Sequence, residues 1–230
     1  MSIADNILKY KSEIESEGVK LVAVSKNHPA EAVKEAYEAG QRVFGENLVQ
    51  EMVDKQAQLP ADIEWHLIGH LQSNKVKYIA PFVKLIESVD SLKLLKEIDK
   101  QAAKHKRVID CLLQIYIADE ESKFGLGFDE AIELLRDEEF EALKNVRIVG
   151  LMGIATNTAN EKQTSVEFNE LKVLFDGIKL SFFRKEDSFK EISMGMSGDY
   201  KIAIEEGSTM VRIGSNIFGK RVIKHWKNKE

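Results

Sequence analysis

The sequence of 230 residues contains one cysteine, Cys111, so no disulfide bond can form within the chain. Because Cys111 begins the apolar stretch 111–115, we expect its thiol to be buried and unreactive. No apolar run approaches the ~20 residues that a membrane-spanning helix requires. The stretch 1–6 carries an acidic residue where a signal peptide has a basic segment. These absences predict a cytoplasmic protein without membrane contact.

The sequence also lacks an excess of positive charge. Lys and Arg number 33 against 38 Asp and Glu, which gives a formal net charge of -5, and the two signs are mixed along the chain. Without a cationic surface to neutralise phosphates, we expect no nucleic-acid partner. The hydrophobic content of 43% is typical of a globular protein. No long exposed apolar stripe demands an obligate dimer, so a monomer is expected.

Short apolar runs of strand character alternate with segments of helical periodicity. The predicted strands lie in 20–26, 42–47, 64–69, 84–90, 109–118, 146–155, 191–197 and 210–218. Helices are predicted over 30–39, 74–80, 92–104, 129–136, 165–181 and 199–206. A further amphipathic helix over 2–16 is expected to cover the bottom of the barrel described next, and 137–141 and 182–190 are expected to be polar connectors.

This alternation predicts an α/β fold, a single (β/α)8 barrel of TIM type spanning 1–230, with an extra helix at its N-terminus. An open doubly wound sheet is the alternative. An open sheet would have two edge strands whose unpaired backbone groups must be protected from pairing with other chains. The G-x-G-x-x-G turn that usually follows the first strand of such a sheet is also missing from the sequence. The closed barrel as a single domain is therefore favoured.

In such a barrel, functional side chains collect at the C-terminal ends of the strands. The first run ends at Lys26, and an amine beside an apolar interior loses proton affinity, which favours Schiff-base chemistry. A solvated lysine at a strand end is the simpler interpretation of this residue taken alone. Asn47 ends the second run, and His66 lies in the third run with His70 directly after it. No third ligand at metal spacing accompanies the histidines, so no metal is expected.

Two segments rich in glycine and serine form the ends of strands seven and eight together with the loops after them. One contains Gly195, Ser197 and Gly198, and the other contains Gly214 and Ser215. Their backbone N–H groups can approach an anion closely, and barrels often hold phosphate in these two loops. Ordinary turns explain either loop alone. The two loops together, across the barrel mouth from the lysine that ends strand one, predict a site for a phosphorylated aldehyde.

Five longer segments carry a resemblance to a known family. They are AVSK (23–26), FGEN (44–47), WHLIGHLQSNK (65–75), SMGMS (193–197) and GSTMVRIG (207–214). With them the sequence resembles the pyridoxal 5'-phosphate (PLP) homeostasis protein family, whose barrel is similar to the N-terminal domain of alanine racemase. The segments are spread over nearly the whole chain, which makes the resemblance specific.

The resemblance implies PLP as the cofactor, held as an internal aldimine on Lys26. It implies a cofactor site formed by Lys26, Asn47, Ser193, Met194, Ser197, Arg212, Gly214 and Ser215. Ser197, Gly214 and Ser215 would hold the phosphate, while Asn47 and Met194 would lie near the ring with Ser193 supporting them. Arg212 would face the pyridine nitrogen. Because arginine stays protonated, it would leave that nitrogen unprotonated and the cofactor a weak electron sink.

Two functions fit this site. One is a non-catalytic protein of PLP homeostasis, which buffers PLP and transfers it to apo PLP-dependent enzymes. The other is an amino-acid racemase or a related PLP enzyme. Racemases continue into a β domain that donates a tyrosine, whereas only 221–230 follow the last strand and its turn here, so we expect the first function. A phosphosugar barrel without PLP is a third alternative.

The roles of His66, His70, Lys75 and Lys123 stay open.

Overall fold

A computed structural model of the protein describes residues 1–119 and 124–219. They form a closed parallel barrel of eight strands that pair in chain order. The strands are β1 (Lys20–Val24), β2 (Val43–Glu46), β3 (Glu64–Leu67), β4 (Leu85–Val89), β5 (Ile109–Ile115), β6 (Val146–Gly153), β7 (Glu191–Met196) and β8 (Met210–Ile213). Each predicted run contains one strand, although the second half of the eighth run, Ser215–Phe218, is helical and not extended. The barrel is confirmed and the open sheet is wrong.

Helices surround the barrel, one before β1 and the others after the strands. They are α1 (Ile3–Glu15), α2 (Ala30–Glu38), α3 (Val49–Gln56), α4 (Val76–Ile79), α5 (Leu92–Lys104), α6 (Phe128–Arg136), α7 (Glu138–Glu141), α8 (Glu161–Ser181), α9 (Tyr200–Glu205) and α10 (Ser215–Phe218), with a 3-10 turn at Ser73–Lys75. Among the described residues, no helix is long and apolar enough to cross a membrane.

Some helix predictions were wrong for identifiable reasons. α3 was not predicted because Leu48, the residue before it, provides no side-chain cap and therefore no start signal. The connector expected at 137–141 is α7, which begins after Asp137 accepts a hydrogen bond from the Glu139 N–H. α8 begins earlier than expected, since Asn160 caps it through the N–H of Gln163.

The N-terminal helix does not cover the barrel bottom as expected. α1 packs beside the barrel against α2, α10 and β1, and it buries Ile7 and Ile14. The Asn6 side chain also donates to the carbonyl of Ile217 in α10. α10 has only 4 residues, so α1 supplies apolar cover that this short helix cannot give to the first and last strands.

Apolar side chains pack in two separate layers. The larger core lies between the strands and the helices, and the smaller one fills the barrel interior. The interior core consists of Val22, Leu85, Leu112, Val149, Met152 and Met210. Below it, the N-terminal strand ends and the loop before β7 line a cavity of about 230 Å³. The barrel is therefore a packed core and not a pore.

Gly195 at the end of β7 allows α9 to pack closely against the barrel. Its φ is +94°, and a Cβ added there would lie 2.5 Å from the Ala203 Cβ. We expect Gly195→Ala to lower the free energy of unfolding by about 2–4 kcal/mol, through backbone strain and overpacking. Urea unfolding measures this loss.

Gly177→Ala is the matched control. Gly177 lies inside α8 with nothing within 4 Å of an added Cβ. Alanine should raise the free energy of unfolding by up to about 1 kcal/mol there. Equal effects of the two substitutions would contradict the close packing at Gly195.

Candidate functional site

Closure of the barrel brings the first and last strand ends together. β8 pairs with β1, with Lys20 opposite Met210 and Ala23 opposite Ile213. A Cβ added to Gly214 would lie 3.2 Å from the carbonyl oxygen of Val24. Lys26, two residues beyond β1, is therefore close to the loop that follows β8.

The loops after β7 and β8 are joined through Ser197. The Gly214 N–H donates to Ser197 Oγ at 3.2 Å, and Asn216 Nδ2 donates to the Ser197 carbonyl at 3.1 Å. Among the described residues, the N–H groups of Gly198 and Ser215 donate to no protein acceptor. A Cβ on Gly198 would meet nothing within 4 Å. Two unused amides beside a serine hydroxyl and open space fit a phosphate group.

Backbone contacts hold the turn that carries Lys26 on both sides of the lysine. The Ser25 carbonyl accepts a hydrogen bond from Lys55 Nζ at 2.7 Å, and the Asn27 N–H donates to Glu51 Oε1 at 2.6 Å. Asn27 has a φ of 63°, in the left-handed region that asparagine tolerates better than most residues. These contacts fix the direction in which the half-buried Lys26 leaves the strand.

The groups that hold this turn form a buried charge cluster between β2 and α3. Lys55 Nζ lies 2.6 Å from Glu46 Oε1 and 2.8 Å from Glu51 Oε1, and Ser25 Oγ also donates to Glu46. Burial, reinforced by Glu51, raises the pKa of Glu46 to about 7 against the opposing effect of Lys55. Glu46 Oε2 and Glu51 Oε2 are buried without a hydrogen-bond partner. One ammonium thus compensates two carboxylates, and Glu46 carries a proton for part of the time near neutral pH.

A second polar network crosses the barrel interior beside the apolar core, and one of its members, His66, also lines the cavity at the N-terminal strand ends. Arg212 on β8 donates from Nη1 to Ser193 Oγ at 2.5 Å and from Nη2 to the Gly153 carbonyl at 2.9 Å. Ser193 donates in turn to Glu87 Oε2 at 2.6 Å, and His66 Nδ1 lies 2.8 Å from Glu87 Oε1. The network ties β3, β4, β6, β7 and β8 together beneath the mouth.

Glu87 is the negative centre of this interior network. Its burial opposes ionisation, but the hydrogen bond and charge of His66, the Arg212 charge and the Ser193 hydrogen bond outweigh burial and hold the pKa of Glu87 below its ordinary value. Glu87 Oε2 lies 3.7 Å from Arg212 Nη1. The ionised carboxylate therefore compensates the buried guanidinium.

The sequence matches known proteins over nearly its whole length. The model of the family described as "Alanine racemase, N-terminal domain" matches residues 1–222. The pyridoxal phosphate homeostasis protein of Aquifex aeolicus is 41% identical over 203 residues, covering 88% of this chain and 87% of the relative. The pyridoxal phosphate homeostasis protein of Pasteurella multocida is 36% identical over 233 residues, and the match covers 96% of this chain and 98% of that relative. The chain belongs to the pyridoxal phosphate homeostasis protein family.

Solved structures agree with membership of this family. PipY of Synechococcus elongatus, solved without PLP, is 37% identical with a TM-score of 0.87, covering 95% of this chain and 100% of PipY. PipY with PLP bound is 36% identical with a TM-score of 0.82, over the same shares. An alanine racemase from Bartonella henselae, 15% identical with a TM-score of 0.68, shares the fold; the match covers 97% of this chain and 62% of the racemase.

The structure places most residues that the resemblance assigned at the mouth or just below it. Lys26, Asn47, Ser197, Gly214 and Ser215 follow the ends of β1, β2, β7 and β8. Ser193 and Arg212 lie inside the barrel. Met194 does not join them, because strand alternation turns its side chain into the outer core, on the face of β7 opposite Ser193.

The residues left open in the sequence have separate surroundings. His66 belongs to the interior network, whereas His70 stacks on Phe124 at 4.5 Å between ring centroids and lies 3.3 Å from Asp90. Lys75 lies in the 3-10 turn, and Lys123 lies outside the described residues. Within 1–119 and 124–219, no three His, Cys, Asp or Glu side chains gather as a metal site would require.

Sequence reasoning missed Glu87, Glu51 and Lys55. Glu87 could have been found as the one charged residue in the buried strand β4, since such a charge must have a buried partner. Glu51 and Lys55 could have been found only as a pair four residues apart on a helix, a pattern common on solvated surfaces.

The raised pKa of Glu46 makes the stability of the fold depend on pH. Because the folded protein retains this proton up to a pKa of about 7, against an ordinary value of 4.5, the unfolded chain releases it first as pH rises. Glu46 therefore lowers the free energy of unfolding across this window, by up to about 3 kcal/mol. Glu46→Gln should make the unfolding free energy less dependent on pH between about pH 5 and about pH 8.

Urea unfolding at several pH values tests this expectation. Glu31→Gln, at an exposed position on α2, is the control and should keep the pH dependence of the original protein. A Glu46→Gln profile parallel to that of the original protein would contradict a buried proton at Glu46.

Proposed function

We propose that this protein binds PLP and acts in PLP homeostasis, buffering the reactive aldehyde and passing it to apo PLP-dependent enzymes. The observation that carries this proposal is the meeting of Lys26 with the two serine and glycine loops across the β1–β8 seam. PLP combines an aldehyde that condenses with amines and a phosphate that needs N–H donors, which are the two kinds of group present. The PipY structure with PLP bound, 36% identical, supports the same ligand.

Each cofactor-binding residue has a distinct task in this proposal. Lys26 would condense with the aldehyde of PLP, its nitrogen bonding to the aldehyde carbon while the aldehyde oxygen leaves as water. Ser197 Oγ, with the N–H groups of Gly198 and Ser215, holds the phosphate, while Gly214 fixes Ser197 in place. Asn47 lies beside the ring. Arg212, supported by Ser193, faces the ring nitrogen, and Met194 supports β7 from the outer core.

The interior network favours a binding role over PLP chemistry that requires a protonated ring nitrogen. Such a nitrogen draws electrons from the reacting carbon. The guanidinium of Arg212 keeps its own proton and can only donate a hydrogen bond to that nitrogen. We propose accordingly that the protein is not an enzyme, and that 1–230 forms one domain that acts as a monomer in the cytoplasm.

Borohydride reduction followed by mass spectrometry tests the covalent attachment. Incubation of the protein with PLP should add one pyridoxyl phosphate mass on the peptide that contains Lys26. Lys26→Ala should lose both this adduct and the visible absorbance of bound PLP. Lys9→Ala, a control on the opposite side of α1 from its buried residues, should lose neither.

Two outcomes would contradict the proposal. An adduct located mainly on Lys75 or Lys123 would refute the role of Lys26. Steady racemase or decarboxylase turnover by the purified protein, abolished by Lys26→Ala, would favour the enzyme alternative.

Comparison of PLP with pyridoxal, which lacks the phosphate, tests the two loops. Ser197→Ala should weaken PLP binding about tenfold or more, because a hydrogen bond to a charged group contributes roughly 1.5–3 kcal/mol. The affinity for pyridoxal should hardly change. Ser181→Ala, at the exposed end of α8, should leave both affinities unchanged. Equal weakening of PLP and pyridoxal by Ser197→Ala would place the phosphate elsewhere.

A further inference from the structure

The interior network has a fixed direction of hydrogen bonding. Ser193 Oγ accepts from Arg212 Nη1, so its single hydrogen is available for Glu87 Oε2. The ionised Glu87 can only accept, and His66 therefore donates to it from Nδ1. Reversing any one of these bonds would leave two donors or two acceptors facing each other. The carboxylate of Glu87 thus determines how Ser193 presents its oxygen to Arg212.

The protein holds the Arg212 side chain in place but engages only part of its hydrogen-bond donors. Its contacts to Ser193 and Gly153 engage Nη1 and Nη2, and only 4% of the residue is exposed. A guanidinium has further N–H groups, and among the described residues no other hydrogen bond from Arg212 is present. Because Arg212 is buried and oriented and still has N–H groups available, its geometry indicates that a ligand at the mouth accepts a hydrogen bond from it.

The charge of Glu87 affects which acceptor Arg212 prefers. An uncompensated buried guanidinium would attract anions of any shape, because its charge would be poorly screened. With Glu87 Oε2 3.7 Å from Nη1, the pair is close to neutral overall. A neutral pair with oriented N–H groups favours a neutral acceptor, such as an unprotonated ring nitrogen.

We propose that Glu87 is a positioning and specificity-determining residue, which orients Arg212 through Ser193 and compensates its charge so that the site selects a ligand with an acceptor nitrogen in its ring. His66 completes the arrangement by holding the other carboxylate oxygen of Glu87. This inference rests on the proposed function, since it assumes that the ring of PLP faces Arg212.

A pair of ligands that differ only at the ring nitrogen provides the test. The ligands are PLP and its deaza analogue, in which a C–H group replaces the ring nitrogen. The original protein should bind PLP about tenfold or more tightly than the analogue. In Glu87→Gln, which keeps the side-chain shape and removes the charge, this ratio should fall close to one. Arg212→Lys should lower the ratio similarly, and combining it with Glu87→Gln should produce little further change.

Two further variants make the result interpretable. Ser193→Ala removes the bridging hydroxyl with little change in volume, so it should also lower the ratio, and it replaces Glu87→Gln if that variant does not fold. Cys111→Ala, a buried substitution in β5 that faces the outer core, should keep the original ratio.

The outcomes separate this inference from the proposed function. Equal weakening of both ligands in Glu87→Gln and Ser193→Ala, with the ratio unchanged, would mean that Glu87 only stabilises the fold and would overturn the inference. The covalent adduct on Lys26 would still form in that case. Failure of the original protein to form any PLP adduct would overturn the proposed function and the inference together.

Discussion

The parallel pairing of β8 with β1 is the constraint on which the rest of the structure depends. It closes the barrel, so none of the eight described strands has an edge with unpaired backbone groups. It also places the residues after Val24 against those after Ile213, although they lie at opposite ends of the sequence. The same closure encloses an interior in which charged side chains must find partners. The approach of the lysine to the two loops and the interior network around Glu87 therefore both depend on this one pairing.

Two buried carboxylates respond to the fold in opposite ways. Glu87 faces His66, Ser193 and Arg212, and these donors hold its pKa below the ordinary value despite burial. Glu46 shares one ammonium with Glu51, so burial and the second carboxylate raise its pKa. The balance of charges around each carboxylate thus decides the sign of the shift, since both side chains are almost fully buried.

The strands and the residues at their ends could be predicted from the sequence, because both depend on local pattern. Lys26 and Gly214 each follow an apolar stretch of a strand, and closure of the barrel brings these two strand ends together. Strand alternation also determines the face of Met194, although the resemblance alone had placed this residue near the ring. The contacts of Glu87 could not be predicted, because Ser193 lies 106 residues away and only the register of the closed barrel brings the two together.

The layers inside the barrel explain why a charged network can face the mouth. Pairs such as Lys20 with Glu191 and Arg147 with Asp110 lie at the N-terminal strand ends, where they are partly exposed to water. The apolar interior core lies above them. His66 lines the cavity at this end but Arg212 does not, so water in the cavity screens the guanidinium only weakly. Glu87 is then its main compensating charge, and a ligand that enters at the mouth meets an arginine whose direction and net charge are already fixed.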